Sequence, residues 1–168
     1  MTRLPIEPIA RQDAPTQAVL LALNNANAES TSLLTPETWR ALIEGAFAAD
    51  CIGDAALLIA FDQEADYASP NFLWFHDRLA RFVYVDRIVV ARSQRGRGLA
   101  SRLYRELFRK VQAAAQDRVV CEVNLVPPNP VSDAFHARMG FAEIGRATLG
   151  TGGKTVRYLA KQLTPVAP

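Results

Sequence analysis

Cysteine is scarce: Cys51 and Cys121 are the only two in 168 residues. Both lie in apolar, strand-like stretches, so they read as buried free thiols and not as a disulfide framework, which points to a reducing, cytoplasmic setting. No apolar run approaches the roughly 20 residues that span a bilayer, and the opening MTRLPIEPIARQDAP lacks the apolar centre of a secretory leader. No membrane is expected as a partner. An excess of one charge is missing as well. Nineteen Lys and Arg stand against 17 Asp and Glu, a net of +2. That is too little for a nucleic-acid binder, and no aromatic stacking pattern accompanies the basic residues. With two histidines and two cysteines, no metal site is expected. Repeats and low-complexity tracts are absent too. What remains is a chain that is 49% hydrophobic, long enough for one domain over residues 1–168 with a sizeable core.

The chain is organised around Phe82 to Gln116, FVYVDRIVVARSQRGRGLASRLYRELFRKVQAAAQ. Phe82 to Ala91 is rich in Val, Ile and Tyr and reads as a strand buried on both faces. The period then changes. Leu99, Leu103, Leu107 and Val111 recur every fourth residue with Arg102, Arg105 and Arg109 opposite, which predicts an amphipathic helix starting at Gly98. The first N–H groups of a helix have no internal partner and carry the positive end of its dipole. Gly96 and Gly98 strip two side chains from that point, and Arg95 and Arg97 add positive charge. The amides of Leu99, Ala100 and Ser101 then form a cradle for a bulky anion such as a pyrophosphate.

These residues resemble the GCN5-related N-acetyltransferases, whose pyrophosphate loop reads Gln/Arg-x-x-Gly-x-Gly/Ala between a central strand and a helix. Here Ser93-Gln94-Arg95-Gly96-Arg97-Gly98 is matched to it, with Ser93 where Gln or Arg is usual. The resemblance extends from about Phe82 to Phe141. In the family a later segment reads Asn, a small residue three on, Tyr seven after the Asn, then Gly-Phe. Asn129, Ser132, Gly140 and Phe141 fit that register, and His136 stands at the Tyr position. The resemblance implies acetyl-CoA as cofactor, with Arg95 to Ser101, Asn129 and Ser132 around it. It also implies that the backbone of Ile88, Val89 and Val90 pairs with the pantetheine arm as an added strand would.

The rest of the chain supplies the frame. Leu4 to Ile9 reads as a short edge strand, because Pro5 and Pro8 cannot donate to a ladder. Helices are predicted from Asp13 and from Thr35-Pro36. Phe47 to Ile52 and Ala55 to Phe61 form a hairpin, Arg118 to Val126 a strand ended by Pro127-Pro128, and Ala142 to Lys161 a second hairpin around GTGG. Gly153-Lys154-Thr155 lacks the upstream glycine and the following helix of a P-loop and reads as that hairpin's turn. The expected architecture is a mixed α/β fold: a mostly antiparallel twisted sheet, one parallel pair splayed at its centre, and helices on both faces. Asp62 to Arg81 reads as a long loop. Its aromatic and acidic residues, Asp62, Tyr67 and Trp74 among them, suit a cationic amine substrate, or else cover the core or a homodimer contact.

Transfer of an acetyl group from a thioester to an amine needs a neutral amine, a stabilised tetrahedral oxygen and a proton for the thiolate. Asp86 is the expected base, since a two-residue period puts it on one face with Tyr84, Ile88 and Val90. Glu122 on the neighbouring strand is its rival. A backbone N–H near Val89 or Val90 is the expected oxyanion donor. His136 is the expected acid, with Tyr84 or water in reserve. The alternative is an acyl-CoA-binding regulatory protein that has lost transfer.

Overall fold

The structure, a computed structural model, describes residues 4–28 and 31–164. Three of the helices begin where the chain offers a side-chain cap. Asp13 accepts the Thr16 N–H ahead of α1 (Ala14–Asn25), and Thr35 and Thr38 cap one another at α2 (Pro36–Glu44), each with a proline in the first turn. Asn129 does the same for α5 (Pro130–Arg138). The longest helix, α4 (Leu99–Ala113), starts instead from Gly98 in the left-handed region.

Seven strands form one sheet: β1 (Glu7–Pro8), β2 (Ala48–Ile52), β3 (Ala56–Asp62), β4 (Val83–Val90), β5 (Arg118–Val126), β6 (Ala142–Leu149) and β7 (Lys154–Gln162), in the order β1-β2-β3-β4-β5-β7-β6. All neighbours are antiparallel except β4 and β5, which pair only at Val83 with Val119 and Tyr84 with Val120. Beyond those two rungs the strands part. The expected splayed parallel pair is therefore present, and the expected edge strand from Leu4 to Ile9 shrinks to Glu7–Pro8, with Ile9 starting a 3-10 helix on its far side.

Both faces of the sheet are covered. On one, Leu103, Tyr104, Leu107 and Val111 of α4 bury against Leu58, Ala60, Val83, Val85 and Val119. On the other, Leu20, Trp39, Phe72 and Phe75 bury against Leu57, Ile59, Phe61, Tyr84 and Tyr158. Phe72 and Phe75 belong to a helix, α3 (Pro70–His76), inside the stretch read from sequence as a loop. It has two turns only, too few for a helical period to stand out from a cluster of aromatics.

A second correction concerns β4. Ile59 pairs with Arg87 and Ala60 with Val85, so Asp86 is the extra residue of a β-bulge. The bulge breaks the alternation. Tyr84 and Val89 face one core, whereas Val85 faces the other with Ile88 and Val90 packed against it. Asp86 therefore does not share a face with Ile88 and Val90.

Candidate functional site

Where β4 and β5 part, they leave a cleft of about 800 Å³ that the start of α4 and the helix α5 close from the sides. Its walls include Asp86, Ile88, Val89 and Val90 from β4, Arg95, Gly96 and Gly98 from the loop, and Leu99, Ala100 and Ser101 from the first turn of α4. Asn129, Ser132 and His136 line it from the α5 side. Arg97, Tyr84, Asp62, Tyr67 and Trp74 do not line it. Residues outside the expected site line it too, Tyr104 and Asn124 among them. Nothing in their spacing distinguishes them from core or strand residues.

The loop is built for backbone exposure. Gly96 and Gly98 sit at φ +76° and +75°, and a Cβ at either would meet no protein atom within 4 Å. Neither glycine is forced by crowding, so the positive φ and the open space over the amides are what the residue type serves. The first intrahelical donor of α4 is Arg102, whose N–H reaches the Gly98 carbonyl at 3.1 Å. The N–H groups of Leu99, Ala100 and Ser101 are thus the orphan donors of the helix start. This placement also moves the motif. Ser93 lies in a 3-10 turn, Arg92–Gln94, and the register two residues later, Arg95-Gly96-Arg97-Gly98-Leu99-Ala100, satisfies Gln/Arg-x-x-Gly-x-Gly/Ala at every position. The residues suit a pyrophosphate.

The strand edge is open too. Ala91 N–H bonds to the Ala55 carbonyl at 2.8 Å, and in an antiparallel ladder alternate residues turn their groups the other way. Val89 therefore spends its N–H and C=O on β3, while those of Ile88 and Val90 face the gap. Val90 N–H and Ile88 N–H, and not Val89 N–H, are the donors available there. The Val90 carbonyl already accepts from Arg95 Nε at 3.4 Å, and Arg95 Nη2 reaches Asn27 at 3.3 Å, tying the loop to the end of α1.

Two carboxylates meet at the mouth of the split, and their surroundings differ. Asp86 accepts the Tyr67 hydroxyl at 2.5 Å on one oxygen and Arg87 Nε at 2.6 Å on the other. Arg87, itself 5% exposed, also donates to Asn24 at 2.8 Å. Asp86 is a member of a satisfied network, with both oxygens occupied and its charge paired with Arg87. Among the described residues Glu122 has no cationic partner at hydrogen-bond distance. Asn71 Nδ2 donates to Oε1 at 3.0 Å, and Oε2 is buried without a hydrogen-bond partner among the described residues. Burial, with the Asp86 charge adding to it, pushes this carboxyl up to about 7; the Tyr84 hydroxyl and Lys154 act against them. Of the two carboxylates, Glu122 is the one with an oxygen left without a partner among the described residues, whereas both oxygens of Asp86, the expected base, are occupied.

His136 is corrected as well. It is 3% exposed, and Nδ1 lies 2.8 Å from the Ser132 carbonyl. A carbonyl only accepts, so Nδ1 carries the ring proton and Nε2 accepts from the Tyr104 hydroxyl at 2.8 Å. Burial holds the imidazole below its ordinary pKa. A neutral ring with no proton on Nε2 has none to give a thiolate. Tyr84 is 1% exposed in the aromatic core and does not line the cleft, though its hydroxyl bears on Glu122. Trp74 has both ring faces taken, by Tyr158 at 4.0 Å and by the Arg78 guanidinium at 4.3 Å, and its edge rests where a Gly145 Cβ would come within 2.5 Å. It serves packing, not a substrate cation. Tyr67 stacks on Phe61 at 4.3 Å behind Asp86, and Asp62 accepts the Glu64 N–H in a turn.

Among the described residues no helix is long and apolar enough to cross a membrane. No curated protein sequence matches the chain. Solved structures do. One is the NatC complex bound to Gag peptide and CoA, at 16% identity and TM-score 0.71, covering 97% of this chain and 100% of that one. Another is aminoglycoside 6'-N-acetyltransferase complexed with coenzyme A, at 12%, 0.71, 98% and 100%. A third is the ribosomal-protein-S18-alanine N-acetyltransferase from Escherichia coli, at 13%, 0.65, 97% and 96%. At such identities the likeness is one of fold. The family model is more specific: the acetyltransferase (GNAT) family model matches residues 55–141, more than half of the chain and the whole of the splayed pair, the glycine loop and α4. With that match and the cleft it encloses, the chain belongs to the acetyltransferase (GNAT) family.

Proposed function

We propose that this acetyltransferase moves the acetyl group of acetyl-CoA to a weakly basic primary amine, with Glu122 taking the amine's proton. Membership of the family carries acetyl-CoA-dependent transfer to an amine; the acceptor class and the residue roles rest on the cleft. The observation that carries them is a buried carboxyl near 7, with one oxygen unpartnered, in the wall of the split. A peptide α-amine titrates at about 8 and a lysine at about 10.4. Passing a proton from the first to a group near 7 costs about 1 kcal/mol, and from the second about 5 kcal/mol. Peptide N-termini and small amines of depressed basicity therefore suit this site better than lysine side chains.

The remaining roles follow from position. Leu99, Ala100 and Ser101 N–H groups hold the pyrophosphate, with Arg95 and Arg97 adding charge. Ile88 and Val90 offer the pantetheine arm and the carbonyl oxygen their N–H groups. The amine nitrogen attacks the acetyl carbon, the C–S bond breaks, and one amine proton passes to Glu122. The thiolate takes a proton from solvent, since neither His136 nor Tyr104 directs one into the cleft. The whole chain acts as one N-acyltransferase domain, and its two free thiols suit a cytoplasmic setting. Thiol release from acetyl-CoA across a panel of peptides and small amines, beside calorimetry with acetyl-CoA, tests this. Turnover that rises as acceptor pKa falls toward 8 is the expected result. Tight cofactor binding with no thiol release from any amine would establish the regulatory alternative instead.

A further inference from the structure

The base assigned above does not stand alone in its wall. Asn71, near the start of α3, donates from Nδ2 to Glu122 Oε1 at 3.0 Å, and Tyr158 on β7 donates its hydroxyl to Asn71 Oδ1 at 3.0 Å. Three elements distant in sequence thus meet in one chain of hydrogen bonds. Its direction is set by chemistry. An ionised carboxylate only accepts, so the amide nitrogen must face Glu122 and the amide oxygen is left for the Tyr158 hydroxyl. Tyr158 is in turn held by its stacking on Trp74 and its edge contact with Phe75. The bond also sorts the two oxygens: Oε1 is occupied, and Oε2 has no partner among the described residues.

We propose that Asn71 and Tyr158 are positioning residues that keep Glu122 ionised and leave Oε2 as the oxygen that receives the acceptor's proton. This rests on the reading of Glu122 as the base. A hydrogen bond to the charged form favours that form, so Asn71 opposes the burial that would otherwise keep the carboxyl protonated. The other groups acting on Glu122 are Tyr84 and Asp86 of β4, Lys154 and Tyr158 of β7, Tyr104 of α4 and the adjacent Cys121. None of them is a cation at hydrogen-bond distance. Asn71 donates to this carboxyl at 3.0 Å, the Tyr84 hydroxyl favours the same charged form, and Tyr158 keeps the Asn71 amide from turning over.

The test compares Asn71→Leu, Tyr158→Phe and Glu122→Gln in the full chain. Two readouts serve: the acidic limb of kcat/KM against pH, and the carboxyl-carbon NMR titration of Glu122 in the free protein. Asn71→Leu should move both upward by about one pH unit or more, the worth of a hydrogen bond to a charged group. Tyr158→Phe, which keeps the ring packing, should move both the same way by less. If Asn71→Leu fails to fold, the Tyr158→Phe titration decides alone. An unmoved limb and titration, with Glu122→Gln inactive, would overturn the positioning role and leave the base in place. An active Glu122→Gln would overturn the base itself.

Discussion

At the residue scale the proposed base, Glu122, costs the fold stability in its ionised form. A carboxyl whose pKa goes from 4.5 unfolded to about 7 folded binds more protons in the native state across that window, so stability falls as pH rises through it. Above pH 7 the cost is about 3 kcal/mol. Glu122→Gln removes the charge, so at pH 8 the variant should melt higher than the native protein while losing roughly 10² to 10⁴ in turnover. Thermal melts at pH 5 and pH 8 check it, since the gain should vanish at the lower value. His136 works in the other direction. Its pKa is lowered by burial, so the unfolded chain binds the extra proton and stability is lost as pH falls below about 6.5. His136→Phe should leave turnover within a few fold of native. It should cost about 1 to 3 kcal/mol of stability by stranding the Tyr104 hydroxyl, and Tyr104→Phe in the same chain should restore part of that. A loss of turnover of 10² or more, with the fold intact, would return His136 to the role its register suggests. The register placed His136 correctly in the cleft wall. Its protonation was not legible, because the Tyr104 hydroxyl reaches Nε2 only once α4 packs against α5.

At the scale of elements, the strand, the glycine turn and α4 were legible because each obeys a local rule: a β-branched run, two glycines, a four-residue apolar repeat. The bulge in β4 and the helix α3 were not. Asp86 becomes an extra residue only through its pairing with β3, and α3 shows itself by burying Phe72 and Phe75. For the same reason the surroundings of Glu122 do not show in the sequence, since its partner Asn71 is 51 residues distant. The turn before α4 yields a controlled prediction. Gly98 at φ +75° and Gly150 at φ +58° both have open space where a Cβ would go, so alanine strains either by roughly 1 to 2 kcal/mol. Only Gly98→Ala should weaken acetyl-CoA, by more than tenfold in calorimetry. Equal affinities in the two variants would mean the cradle lies elsewhere.

At the scale of the whole molecule, four strands lie on one side of the split and three on the other. Between them the sheet is continuous at only two paired positions, Val83 with Val119 and Tyr84 with Val120. A ligand that bonds to the free groups of Ile88 and Val90 should slow their amide hydrogen exchange, while Val89, already committed to β3, should exchange as before. Equal protection at all three would contradict the alternation. The wider consequence is mechanical. The two half-sheets are leaves joined at one short hinge, and α4 spans them as a strap. An arm laid along the gap becomes a splint, so cofactor binding should stiffen parts of the protein it never touches and raise the force needed to pull β1–β4 away from β5–β7.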